Sequence, residues 1–305
     1  MSRILDGVAI RDQILAEARP RVDHLIRTRR PPGLAVVLAG QNPASEIYVK
    51  NKIKACATLG IHSEHYSPPV DSSTGEILAL VERLNAKPDI DGILVQMPLP
   101  PQVDSARILQ AISASKDADG FHPYNVGQLV ANAPAPRACT PAGVMELLRR
   151  YQIPTAGARA VVVGRSDIVG KPMALLLLHA HATVTICHSK TKNLAEECRR
   201  ADILVAAIGR PALLTGDFIG DQATVIDVGM NRVTDPEQAR AIYRNDPALM
   251  EAFARKGTAL MGDAHPLDVA TGAAAYTPVP GGVGPLTIAM LMMNTIELAE
   301  RRLGR

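Results

Sequence analysis

Twice along this chain, apolar runs of strand length alternate with amphipathic stretches of helix length, which restricts the fold to stacked βα units around parallel sheets. The first series runs through GLAVVLAG from Gly33, a helix opened by Pro43, a helix around Glu76 to Leu84, and GILVQMP from Gly92. A loop rich in Asp, Gly, Pro and Asn follows, KDADGFHPYN from Lys116, and then CTPAGVMELLRRY reads as a capped helix leaving the first domain. The second series holds ARAVVVG, ATVTIC, DILVAAIG and ATVIDVG, each followed by helix or turn signals. After TPVPGGVGP, Pro285 opens an apolar helix expected to pack back on the first domain. The 305 residues suit two domains, each of about 100–200 residues. The expected division is 1–142 plus 285–305 for one α/β domain and 143–284 for the other.

Charge narrows the function. The balance of 33 basic and 30 acidic residues leaves a net +3, too weak and scattered for nucleic-acid or membrane binding. Arg3, Asp6, Arg11 and Asp12 charge the start, which lacks the apolar core of a signal peptide, and no segment reaches the length of a membrane span. Cys56, Cys139, Cys187 and Cys198 form no CxxC pair, so reduced thiols in a cytoplasmic compartment are expected, packed as small buried hydrophobes.

Ser45, Tyr48 and Lys52 lie in SEIYVKNKIKACATLGI at spacings that put them along one edge of a helix. Asn42 supplies a cap, Pro43 a first position and Gly60 a stop, while Val49, Ile53 and Cys56 form the adjoining apolar stripe. Lys50, Asn51 and Lys54 fall on the opposite, wet side. Lys52 is then a lysine against a buried margin, where partial desolvation suits an ammonium to proton transfer. The plain alternative is a lysine stem covering apolar surface with its head in water.

In GRSDIVGKP, Gly164 permits a tight turn after a strand and Gly170 close helix-to-strand packing, so free amides there can hold a pyrophosphate. The pattern is one residue longer than GxGxxG and has Ser166 at the middle glycine. It also fails as a Walker A loop, because Arg165 and Pro172 stand where Gly and Ser or Thr are needed. At the end of the next strand, about 20 residues on, an NAD site usually offers an acid to the ribose. Here Ser189, Lys190 and Lys192 follow instead, and with Arg165 they suit the 2′-phosphate of NADP.

Gln96 ends a strand at the carboxyl edge of the first sheet, where open α/β folds place ligands, and Lys52 is a candidate partner. Asp117 and Asp119 precede Gly120 in a loop and are equally readable as turn formers. The glycines of PGGVGP at 280–285 either let backbone approach a ligand, at Pro280 and Gly281, or make a plain turn. Eight histidines include no HExxH and no zinc-spaced cluster, so no metal is expected.

Together, SEIYVKNKIKA, DGILVQMPLP, KDADGFHPYNVG, CTPAG, VVVGRSDIVGKP and TPVPGGVGPLT resemble the bifunctional methylenetetrahydrofolate dehydrogenase/cyclohydrolase family over nearly the whole chain. The resemblance implies a homodimer of subunits with a folate-binding catalytic domain and a Rossmann-like NADP domain, separated by a cleft. It implies Lys52 as the catalytic lysine, Tyr48 as the ring stacking on the aminobenzoate, Gln96 as the partner of the lysine, and Asp119 as the pterin-binding carboxylate. Pro280 and Gly281 are implied at the substrate. Gly164, Arg165, Ser166, Gly170 and Ser189 are implied at the cofactor, with Arg165 and Ser189 on its 2′-phosphate. A dehydrogenase without efficient hydrolysis and a non-catalytic NADP sensor are the alternatives, and a fused formate-activating domain is not expected.

Two stretches depart from the family pattern. TDPEQARAIYRNDPALMEAFARKG, a charged and helical insertion of about two dozen residues, follows VIDVGMNRV, and GDAHPLDV places His265 and Pro266 after Asp263.

Overall fold

A computed structural model describes residues 2–40 and 43–304; the side chains of residues 43–45 and 47 lie outside that description. The cap assigned to Asn42 and the side chain of Ser45 therefore fall outside the described residues. In chain order the first elements are β1 (Arg3–Ile4), α1 (Gly7–Thr28), β2 (Gly33–Val37), α2 (Pro43–Leu59), β3 (His62–Tyr66), α3 (Thr74–Ala86), β4 (Gly92–Val95), α4 (Ser105–Ala111), α5 (Pro123–Val130) and α6 (Cys139–Arg150). There follow β5 (Arg159–Val163), α7 (Gly170–His179), β6 (Thr183–Cys187), α8 (Leu194–Arg199), β7 (Ile203–Ala206), β8 (Thr224–Asp227), β9 (Asn231–Val233), α9 (Pro236–Tyr243), α10 (Pro247–Lys256), β10 (Ala259–Met261), α11 (Pro266–Gly272), β11 (Ala275–Tyr276) and α12 (Val283–Arg302).

The chain divides into two compact units, Arg11–Cys139 with Ile288–Arg305, and Met1–Ile10 with Thr140–Thr287. One difference from the expected division stands out: residues 1–10 leave the first domain, because β1 pairs in parallel with β11, Arg3 opposite Ala275. A two-residue strand carries no periodicity by which it could be read.

The first unit is built on a parallel sheet ordered β3-β2-β4. All of β2 is buried because both faces are covered, which is why it reads as a continuous apolar run rather than an alternating one. Leu34 and Val36 join a cluster with α1, α2 and α12, while Ala35 and Val37 pack with α3. The α3 helix starts with a capping box between Ser73 and Glu76 and buries Ile77, Leu80, Val81 and Leu84 along one stripe. Beyond β4 the chain returns alongside it: Ile93 bridges Asp117, the Ile93 amide donating to Lys116 O at 2.7 Å. This carries the Asp117–Asp119 loop to the carboxyl edge of the sheet, beside Gln96.

The second unit holds a six-stranded sheet ordered β1-β11-β8-β7-β5-β6, parallel throughout its pairings. The order reverses at β5, whose neighbours β6 and β7 follow it on opposite sides, so the dinucleotide crevice of a doubly wound fold lies over the carboxyl ends of these strands. The insertion leaves and re-enters through the antiparallel pair β9 and β10, with α9 and α10 between them around a small core of Val233, Ala239, Ile242, Phe253 and Met261. Arg244 pairs with Asp268 on α11 at 2.7 Å. His265 of the GDAHPLDV departure is buried at the start of α11, and burial pushes its imidazole below the ordinary value, favouring the neutral ring.

Candidate active site

Helix phase places Lys52 on α2 as the spacing requires: Val49 and Cys56 are buried on the same side, whereas Lys50, Asn51 and Lys54 are exposed. Only 6% of Lys52 is accessible, and its Nζ donates to Gln96 Oε1 at 2.8 Å. Gln96 Nε2 donates in turn to Met97 O at 2.8 Å, so the amide cannot turn its nitrogen toward the lysine without losing both bonds. Tyr48, one turn before Lys52, is half-buried, and burial raises its phenol above the ordinary value.

The two aspartates of the loop have different roles. Asp117 is buried and accepts from the Gly120 amide at 3.0 Å, the His122 amide at 2.8 Å and Asn125 Nδ2 at 2.9 Å, which makes it the internal support of the turn. Among the described residues Asp119 receives only a 4.0 Å contact from the Cys139 thiol, leaving acceptor capacity for a ligand. Burial, opposed by nearby Lys52 and reinforced by Asp117, pushes its carboxyl up to about 7. Gly120 is needed here: its φ is +75°, and a Cβ would come within 2.5 Å of the Arg137 backbone.

Asn294 was missed by sequence reasoning, although an asparagine inside the apolar run MLMMNTI is itself a signal. It is buried, and its Nδ2 donates to Ala118 O at 2.8 Å and Arg137 O at 2.9 Å, tying α12 to the loop that carries Asp119. Lys52, Tyr48, Gln96 and Asp119 thus belong to one unit, whereas Pro280 and Gly281 belong to the other. There Gly281 has φ +104°, and its carbonyl accepts from the Gly7 amide at 3.0 Å.

The nucleotide loop follows β5. Gly164 has φ +142°, and a Cβ on it would lie 2.1 Å from Ala207 O; a Cβ on Gly170 would lie 2.3 Å from Gly164 O. Both glycines are therefore required by close backbone approach. Ser166 does more than replace a glycine: its Oγ accepts from the amides of Val169 and Gly170, each at 3.2 Å, and shapes the turn from within. Val163 pairs with Cys187, so Arg165 and Ser189 each stand two residues beyond a paired position at adjoining strand ends, both exposed. This cradle, with Lys190 and Lys192 and no acid in the HSKTK stretch that follows β6, fits a dinucleotide bearing a 2′-phosphate.

Away from these groups, His62, Glu64 and Asp89 bring their donor atoms within 4.8 Å of one another. Lys87 already holds Glu64 at 2.5 Å, and with Tyr66 it lowers that carboxyl to about 2, so Glu64 is already engaged in an ion pair.

The tetrahydrofolate dehydrogenase/cyclohydrolase catalytic-domain model matches residues 5–119, and the NAD(P)-binding-domain model of the same family matches residues 138–303. The bifunctional protein FolD of Solibacter usitatus is 67% identical over 304 residues, 100% of this chain and 99% of that protein. The crystal structure of bifunctional FolD from Campylobacter jejuni superposes with a TM-score of 0.89 at 41% identity, covering 99% of this chain and 100% of that one. The Trypanosoma brucei dehydrogenase-cyclohydrolase, complexed with NADP cofactor and inhibitor, gives a TM-score of 0.90 at 37% identity over 100% and 99% of the two chains. On these matches, the chain belongs to the tetrahydrofolate dehydrogenase/cyclohydrolase family.

Proposed function

We propose that this chain oxidises 5,10-methylenetetrahydrofolate to 5,10-methenyltetrahydrofolate with NADP and then hydrolyses the product to 10-formyltetrahydrofolate. The observation that carries the reading is the Lys52–Gln96 bond of 2.8 Å, in the same unit as an Asp119 carboxylate with spare acceptor capacity. NADP, when bound, supplies the hydride acceptor. The chain's own task in that step is positioning: Asp119 accepts paired hydrogen bonds from the pterin amino group and ring N–H, and Tyr48 offers its ring to the aminobenzoate. Hydride departure leaves a cation shared by two folate nitrogens, so no acid is needed. Hydrolysis does need proton transfer. Lys52, as the neutral amine held by Gln96, takes a proton from the water that adds to the methenyl carbon and returns it to the departing ring nitrogen, while the remaining hydroxyl proton of the adduct leaves to solvent as the formyl C=O forms.

The Arg165 and Ser189 side chains receive the 2′-phosphate, and the Gly164–Gly170 turn receives the pyrophosphate. Assembly as a homodimer is supported by β6, an edge strand with Ile186 43% exposed, and by Leu178 of α7, 54% exposed. Residence in the cytoplasm is supported by four buried free cysteines, and no helix among the described residues is long and apolar enough to cross a membrane. The test is to supply methylenetetrahydrofolate and NADP and follow NADPH and methenyl absorbance together. NADPH formation with transient methenyl supports both steps; NADPH with stable methenyl leaves a dehydrogenase alone; neither signal overturns the reading. Light scattering at several concentrations tests the dimer.

A further inference from the structure

Two buried aspartates, Asp227 at the end of β8 and Asp263 after β10, form a relay that the catalytic reading does not use. Asp227 Oδ1 accepts from the Gly229 and Asp263 amides, both at 2.9 Å, and Oδ2 from the Ala264 amide at 2.8 Å. Asp263 then gathers the next loop: Oδ2 accepts from the Ile208 amide at 2.5 Å and the Gly209 amide at 2.9 Å, while Oδ1 accepts from the Arg210 amide at 2.9 Å and Asn231 Nδ2 at 2.8 Å. The packing is close enough to exclude a methyl group. A Cβ on Gly262 would lie 1.8 Å from Asp227 Oδ2, and one on Gly229 would lie 2.4 Å from Asp263 Oδ1.

The gathered loop follows β7, on the side of the switch point away from β6. Its first residue, Ala207, is the one whose carbonyl Gly164 approaches so closely. A dinucleotide crossing this crevice lays its adenosine half toward β6, where Arg165 and Ser189 stand, and its other half over β7 and β8. We infer that Asp263 is a positioning residue for the nicotinamide half of the cofactor: its carboxylate sets the shape of residues 208–210 by engaging three consecutive amides. The inference rests on the proposed placement of the adenosine half at Arg165 and Ser189.

Asp263→Asn keeps the size and changes only the acceptor set. Whichever way the amide turns, its NH2 faces either the Ile208 and Gly209 amides or the Arg210 amide and Asn231. The full chain should then bind NADP roughly ten- to a hundredfold more weakly, by calorimetry, since two donors lose their acceptor. Adenosine 2′,5′-bisphosphate, which lacks the nicotinamide half, should bind within about twofold of wild type, and hydrolysis of supplied methenyltetrahydrofolate without NADP should also stay within about twofold. Gly209→Ala reaches the same loop from its other side: φ is +74° with nothing within 4 Å of the new Cβ, so only the loop's backbone is strained. It should give the same split, and it decides the matter if Asp263→Asn does not fold. Equal loss of NADP and of the bisphosphate, parallel loss of hydrolysis in a folded variant, or unchanged NADP affinity overturns the inference. The adenosine placement is judged separately, by whether Arg165→Ala weakens the bisphosphate.

Discussion

Lys52 and Gln96 are joined across 44 residues of sequence by a bond whose polarity is fixed, because the glutamine nitrogen is committed to its neighbour's carbonyl and only its oxygen faces the lysine nitrogen. Lys52→Gln should therefore cut hydrolysis by roughly a hundred- to ten-thousandfold, the usual contribution of a positioned acid or base. Hydride transfer should suffer less, so methenyltetrahydrofolate should accumulate during turnover. Lys50→Gln and Lys54→Gln, on the exposed side, should be nearly silent. Parallel recording of NADPH formation and methenyl decay in the three folded variants decides this; equal damage from all three contradicts the assignment.

Asp119 gives a pH dependence with a definite sign. Its carboxyl, pushed up to about 7 by burial, must lose its proton to accept from the pterin, so folate affinity should rise as pH climbs toward and through neutrality. Asp119→Asn should abolish this limb of the kcat/KM profile and weaken both activities. Asp117→Ala should act differently, costing about 2–4 kcal/mol in stability through three orphaned donors. Folate titrations from acid to neutral pH and urea melts separate the two.

Arg165 should discriminate between cofactors. A charge-assisted bond to the 2′-phosphate is worth about 1.5–3 kcal/mol, so Arg165→Ala should lose roughly ten- to a hundredfold in NADP efficiency with little change for NAD. Comparing kcat/KM with both cofactors checks it, and matched losses would assign the arginine a structural role.

Asp91 is fully buried and receives both Arg30 terminal nitrogens, at 2.7 and 2.8 Å, Arg302 at 3.0 Å, and the Gly33 amide at 2.9 Å. Asp91→Ala strands two cations and an amide, and about 3–5 kcal/mol of stability should disappear. Chemical denaturation is the measurement, with the first unit expected to unfold early.

Legibility followed periodicity. The apolar runs of β2, β4, β5, β7 and β8 and the phase of α2 were readable because burial on two faces, or on one stripe, writes itself into spacing. The β3 strand was not, since HSEHY is a polar edge strand with little core to pattern it. Nor could spacing separate Asp117 from Asp119, because the distinction lies in which carboxylate the following amides fold around. Asp263 escaped for another reason: its partners at 208–210 lie more than fifty residues earlier, and only the sheet order brings them together.

The first unit's core contains Leu291, Met292, Ile296 and Ala299 of α12, none of them measurably accessible, although most of that unit precedes residue 140. During synthesis the ribosome must make the whole of Thr140–Thr287 before this helix exists. At about 5–20 residues per second, that is a delay of roughly 7–30 s. Throughout it, the faces of α1, α2 and β2 that α12 will cover stay open to water, while the later unit is being completed around a β1 strand already made. The nucleotide-binding half of the enzyme thus matures before the half that carries Lys52, and the waiting apolar surface is the natural target for holding chaperones.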